Sequence, residues 1–152
     1  DAGNDAWKEF EALTDRRPAN WDTDQDGMPD WWEKLAGTNP SAADNNELTD
    51  GEYTQLERYL NWLAEPHFIT SAGNKLTIDL KQYFAGYNQQ PVFTLESSIQ
   101  PQEGKMKLNK KGILTISLNK KAADCLIDIK VKATDKDQVA SLQRTFHIAI
   151  TQ

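Results

Sequence analysis

Residues 22–33, DTDQDGMPDWWE, place Asp22, Asp24 and Asp26 at alternate positions, then Gly27, then Glu33 at the twelfth place. This run meets the D-x-[DN]-x-[DN]-G-x5-E pattern of a calcium loop at every specified position. A hard divalent cation of this kind gathers roughly six to eight oxygens at ~2.3–2.6 Å. Alternate side chains of a tightly coiled loop converge on one point, and glycine at the sixth place permits the sharp turn. The expected ligands are the carboxylates of Asp22, Asp24 and Asp26, the carbonyl of Met28, Asp30 directly or through water, and both oxygens of Glu33. Without a cation these carboxylates repel one another. Downstream, Asp44, Asn46 and Asp50 resemble a degraded second loop, with Leu48 at its fifth place and no glycine at its sixth. They either bind a second ion, complete the first site, or form a plain polar turn with Asp50 near a helix start.

Other chemistry is sparse. No phosphate-binding glycine loop, nucleophile elbow or zinc spacing is present. The two histidines leave little for a triad, and the single Cys125 excludes an internal disulfide. Cys125 shares a face with Ile127 and Ile129 and reads as a small core residue. The loop carboxylates, once on a metal, cannot act as an acid/base pair. Trp31 and Trp32 follow the loop; at least one must be core for so small a unit, and Trp31 is the candidate for stacking on a sugar. The pairs Lys110-Lys111 and Lys120-Lys121 fall at turns and read first as solvated ends. Lys110 and Lys111 are also the candidates for contact with an acidic polysaccharide.

The elements that must position these residues fall into two kinds. Ala6 to Leu13 has helical spacing over about two turns, and Asp15-Arg16-Arg17-Pro18 ends it. A second helix starts near Pro29 and stops at Gly37. A third follows a capping box at Thr49-Asp50-Gly51-Glu52, with Tyr53, Leu56, Tyr59, Leu60 and Leu63 as its apolar stripe. Pro18, four residues ahead of Asp22, forbids the long entering helix of an EF-hand. The loop therefore reads as a structural clasp and not a switch. Beyond Pro66 the chain alternates with period two: HFITS, KLTIDL, VFTLES, KMKL, ILTISL, CLIDIKVKA and FHIAI give about seven strands. That number of short strands between frequent turns predicts an antiparallel sandwich. Asp135-Lys136-Asp137 reads as a hairpin turn between the last two strands.

Composition sharpens the division. Residues 1–66 carry 16 acids and 5 bases, net -11, and all five tryptophans; residues 67–152 carry 7 acids and 12 bases, net +5. We place the boundary at Glu65-Pro66, giving a helical calcium-binding segment, 1–66, and a β-sandwich, 67–152. The overall charge of -6 argues against nucleic acid as a partner. No stretch approaches the ~20 apolar residues of a membrane span. The opening DAGNDAWKEF has neither the basic nor the apolar region of a signal peptide, so a mature product or excised fragment is expected.

DTDQDGMPDWWEKLAGTNPSAADNN followed by GEYTQLERYLNWL resembles the calcium-binding C-terminal segment of secreted bacterial pectate lyases and related polysaccharide lyases, itself akin to thrombospondin type 3 and dockerin-like repeats. The resemblance covers about residues 20–64. It rests on the D-x-D-x-D-G-M-P-D-x-W-E core, the Gly37-Thr38-Asn39-Pro40 turn and the run Leu56 to Leu63; Asp50-Gly51-Glu52-Tyr53 departs from it, where members often have Gly-Tyr directly. Residues 68–151 are similar to cadherin-like, dystroglycan-type immunoglobulin-fold modules, through IDLKQYFAGYN, ILTISL and VKATDKDQVASLQRTFHIAI. These resemblances imply a non-catalytic, Ca²⁺-stabilised, monomeric C-terminal fragment of a secreted, periplasmic or cell-surface bacterial enzyme. Its implied partner is the catalytic domain of the same parent chain. Two alternatives stand beside this reading: a carbohydrate-binding module contacting acidic polysaccharide, and a small calcium-dependent lyase.

Overall fold

The computed structural model describes residues 17–86, 90–137 and 140–152. The helix expected over Ala6 to Leu13 lies outside them. The described chain is mostly β: seven strands in two sheets, preceded by two short helices. The strands are β1 (His67–Ser71), β2 (Lys75–Asp79), β3 (Val92–Leu95), β4 (Gly104–Leu108), β5 (Ile113–Leu118), β6 (Cys125–Thr134) and β7 (Ser141–Thr151). One sheet runs β1-β7-β6-β3 and the other β2-β5-β4.

Period-two alternation fixes which side chains meet between the sheets. Ile78, Leu114, Ile116 and Leu118 come from the smaller sheet; Ile127, Ile129, Val131, Phe146, Ile148 and Ile150 come from the larger. Each is nearly or wholly removed from water, and each large aliphatic or aromatic side chain so buried contributes about 1.5–3 kcal/mol. Cys125 packs half-buried against the same core, as its face predicts.

The sandwich is not wholly antiparallel. β1 pairs in parallel with β7, from His67 opposite His147 to Ser71 opposite Thr151. The reason lies in the turn after β1. Asn74 N–H donates to the Ser71 carbonyl, Gly73 N–H donates to the Asn119 carbonyl just past β5, and Leu118 N–H at the end of β5 donates back to the Asn74 carbonyl, so the chain changes sheets within a few residues. β1 therefore cannot form a hairpin with β2, and the free edge of β7 takes it instead.

The helices are α1 (Asp30–Ala36) and α2 (Gln55–Ala64). Pro29 stands just outside α1 in extended geometry, and Gly37 ends the helix at φ 85°, its N–H donating to the Glu33 carbonyl. α2 starts later than the sequence suggests. Its capping box is Thr54 with Glu57, not Thr49 with Glu52. Glu52 sits at φ 68°, outside the helical region, because Thr49 N–H reaches the Tyr53 carbonyl and closes a tight turn. The buried face also differs from the expected stripe. Tyr59 and Trp62 are buried, whereas Tyr53 (58% exposed), Leu60 (51%) and Leu63 (43%) face solvent.

That face has a definite partner. Met28, Trp32, Tyr59 and Trp62 form a second core with Ala149 of β7, and Leu126 of β6 packs against it. The helices thus sit on the outer face of the β6–β7 pair, joined to the sandwich through a small apolar contact. Trp62→Ala should cost about 3–5 kcal/mol, the usual range for a buried large aromatic. Hydrogen exchange should show that loss in α1 and α2 while β5 amides keep their protection. An equal loss in β5 would make the whole chain one cooperative unit.

Candidate metal centre

The loop before α1 is coiled by its own aspartates. Asp22 accepts the amide of Asp26 at 3.2 Å through Oδ1 and that of Gly27 at 3.0 Å through Oδ2. Asp24 Oδ1 accepts the Asp26 amide at 3.2 Å, and Asp26 Oδ1 that of Met28 at 3.0 Å. Gly27 takes φ 97°, the left-handed turn that glycine at the sixth place allows. Met28 then sends its side chain into the second core, so the loop is tied to the packing below it.

Two acidic groups result, and they share a member. Asp22, Asp24 and Asp26 form one; Asp26, Glu33 and Asp44 form the other, each with one ligand oxygen per residue inside a 4.8 Å span. Asp44 reaches the loop because the Asn39–Asp44 turn folds back: Ala42 N–H donates to the Asn39 carbonyl, and Asn39 N–H to Asp44 Oδ2 at 3.0 Å. Of the residues foreseen, the structure brings together Asp22, Asp24, Asp26, Glu33 and Asp44. Asp30 stands apart. Both its oxygens are held by Thr23, at 2.8 Å from the amide and 2.7 Å from the hydroxyl, which keeps its carboxyl below the usual range. Asp50 is exposed and belongs to neither group, Asn46 is exposed, and Asp44 joins the site. Thr38 was not foreseen. Its hydroxyl donates to Glu33 Oε1 at 3.3 Å, a contact that the glycine stop at residue 37 makes geometrically available.

Glu33 is the decisive residue. It is 0% exposed, and its Oε2 has no hydrogen-bond partner. Asp24 Oδ2, Asp26 Oδ2 and Asp44 Oδ1 are likewise buried and unpartnered. A buried charge costs several kcal/mol unless something pairs with it. Accordingly burial, then the charges of Asp26, Asp24 and Asp44, push the Glu33 carboxyl up to about 7, against a small opposing pull from Thr38. Burial, with the charges of Asp26 and Asp22, raises Asp24 as well. Four unsatisfied hard oxygens, all carboxylate, are the donor set of a hard divalent cation. This chain can hold a metal here.

The other candidates sit away from this centre. Trp31 is half-buried, edge-on to Trp62 at 5.7 Å. Trp32 is the core tryptophan of the pair, fully buried and 5.1 Å from Tyr59. Lys110 and Lys111 are exposed in the turn between β4 and β5, where Asn109 Oδ1 accepts the amides of Lys111 and Ile113. Asp135-Lys136-Asp137 lies in the β6–β7 connection, with Asp135 N–H donating to the Ala140 carbonyl at 3.1 Å.

No protein-family model and no curated protein matches the chain. Solved structures similar in fold include the titin M3 domain, at 10% identity and a TM-score of 0.35, over 58% of this chain and 90% of that one. An internalin-like protein of Listeria monocytogenes is similar at 14% identity and 0.31, over 57% of this chain and 28% of its own. A nucleoside hydrolase-related hypothetical protein from Saccharophagus degradans, described as associated with carbohydrate metabolism, follows at 12% and 0.32, over 57% and 22%. The chain spans under a third of these last two. At such scores the likeness carries no argument about activity.

The titration of Glu33 gives a signed prediction. Its metal-free folded value, about 7, lies above the ordinary 4.5, so the folded chain holds the proton more tightly than the unfolded one. Its contribution is full below the unfolded value and is lost as pH rises through about 7. Denaturant melts in chelator should therefore show stability falling from pH 5 to about 8, and Glu33→Gln should flatten that slope. A wild-type slope that the substitution leaves unchanged would assign it to other groups.

Proposed function

We propose that residues 17–66 form a Ca²⁺-dependent structural clasp on a cadherin-like, immunoglobulin-type sandwich. In this reading the chain is a non-catalytic C-terminal part of a secreted bacterial polysaccharide-degrading enzyme of pectate-lyase type. One observation supports it above the rest: the wholly buried Glu33, which has an unpartnered oxygen and a carboxylate oxygen within 4.8 Å of those of Asp26 and Asp44. When bound, Ca²⁺ supplies the charge that lets these carboxylates stay ionised out of water. The chain's own residues do the remaining work. Asp22, Asp24 and Asp26 hold the loop coil, Met28 anchors it in the apolar core, and Glu33 and Asp44 draw α1 and the 39–44 turn to the same point. The clasp then presents Trp32, Tyr59 and Trp62 to β6 and β7 and keeps the tail of the parent enzyme compact against its catalytic domain.

A second reading, contact with acidic polysaccharide, is favoured by one surface. A groove lined by Pro91, Val92, Phe93, Leu108, Asn109 and Lys110 runs beside the exposed Lys111. Titration with oligogalacturonate separates the two, since a clasp predicts no heat and a binding module predicts saturation lost in a Lys110→Ala, Lys111→Ala double variant. Release of unsaturated uronides from pectate would instead indicate a lyase.

The clasp is tested by melting. Ca²⁺ at a hundred times its dissociation constant should add about 2.7 kcal/mol, and Asp26→Ala, which removes the shared carboxylate, should forfeit most of it. In chelator the two proteins should melt together. A loss of equal size with and without Ca²⁺ would reduce Asp26 to a turn former.

A further inference from the structure

A separate group of charged side chains gathers where α2 hands the chain to β1. His147 lies on β7, and its backbone N–H donates to the Pro66 carbonyl at 2.9 Å. Its side chain is 12% exposed; Nδ1 stands 2.6 Å from Asp128 Oδ1 on β6, and Nε2 stands 3.5 Å from Glu65 Oε2, just past α2. Nε2 is buried and makes no hydrogen bond, so its contact with Glu65 is one of charge. A neutral imidazole carries one N–H and one bare lone pair. In either tautomer, one of these carboxylates would face a lone pair. Only the imidazolium offers a donor to both.

The surroundings tie this ring to the seat of the helices. The charges of Arg58 of α2 and Lys130 of β6 also act on Asp128. His67, the neighbour of His147 in register on β1, is held at 2.9 Å by the Glu65 carbonyl and lies 4.3 Å from the Trp62 ring. A small pocket of about 30 Å³ beside the ring is lined by Trp32, Arg58, Trp62, Leu126, Asp128 and His147. It therefore touches both helices and both central strands.

We propose that His147 is a proton-operated latch: as an imidazolium it bridges Asp128 of β6 to Glu65 behind α2, and its deprotonation loosens the seat of the helical unit on the sheet. The two ends of its range have opposite signs. The hydrogen bond from His147, with help from Arg58 and Lys130 and against the effect of burial, holds Asp128 below the usual carboxylate range, so that half outlasts an ordinary carboxylate as pH falls. The Glu65 half needs the second N–H, because a neutral ring keeps only one donor and cannot serve both carboxylates. None of these residues belongs to the acidic groups of the metal centre, so the latch and the clasp stand or fall separately.

Amide exchange on the full chain in excess Ca²⁺, corrected for intrinsic rates, reads the latch directly. Between about pH 5.5 and 8, protection of the Tyr59–Leu63 amides should fall roughly tenfold while β5 is unchanged, the size expected for a hydrogen bond to a charged group. His147→Gln should remove that step. If that variant fails to fold, Glu65→Gln, which keeps the shape and drops the charge, should remove most of it. Equal α2 protection at both pH values, or a step that survives Glu65→Gln or His147→Gln, overturns the latch. Repeating the measurement in chelator on a Glu33→Gln background, which removes the other pH-dependent group of this unit, separates the two ideas: a step that His147→Gln abolishes and that Ca²⁺ does not alter upholds the latch and sinks the clasp, and a response of the Glu33 chain to Ca²⁺ with no such step does the reverse.

Discussion

The arrangement of the first fifty described residues depends on one unfavourable fact, a carboxylate wholly out of water without a full set of donors. Glu33 occupies that place because α1 is only seven residues long and its inner face carries both Trp32 and Glu33. Burying the indole against Tyr59 drags the carboxylate in beside it. The chain then surrounds Glu33 with more negative charge, from Asp26, Asp24 and Asp44, rather than with an arginine or lysine. Such an arrangement is a poor fold for its own sake. It is a coherent one if a cation completes it, since the apolar contact below and the charge cluster above then favour the same position of α1.

The two cores divide the labour. The sandwich core is built from regular alternation. The second core is small, aromatic and one-sided, made of a few residues gathered from a loop and two short helices. Helices of this length are marginal alone and depend on tertiary packing. Their packing surface on the sheet is slight, Ala149 with Leu126 beside it, so polar ties at the rim carry unusual weight. The Arg58 guanidinium illustrates this, donating to the Ala36 carbonyl at 3.2 Å and joining the two helices.

What the sequence made legible follows from how local each signal is. The glycine stop at Gly37 and the seven strands are short-range patterns, and both are where the pattern places them; the alternate aspartates of the loop, also a short-range pattern, do gather into one acidic group. Thr49 and Thr54 each stand three residues before a glutamate, so pattern alone does not choose between them; the positive φ of Glu52 does. Leu60 and Leu63 looked like core because leucine at helical spacing usually is. They are exposed because the sheet accepts only the Tyr59 and Trp62 side of α2. Asp30 fits the ninth ligand position in sequence, yet Thr23, seven residues earlier, takes both its oxygens. The recruitment of Asp44 and the parallel partner of β1 are long-range events, and single-sequence periodicity contains neither.

The parallel pairing of β1 with β7 has a mechanical meaning. Both strands run the same way, and five register pairs join them, from His67 with His147 to Ser71 with Thr151. A pull entering through the leading end of β1 and leaving through the trailing end of β7 is directed along both strands. It loads those backbone hydrogen bonds together, in shear, where a hairpin pulled at its open end would peel them one by one. In a chain tethered at its two ends, the helices ahead of β1 would therefore give way before this sheared pair of strands did.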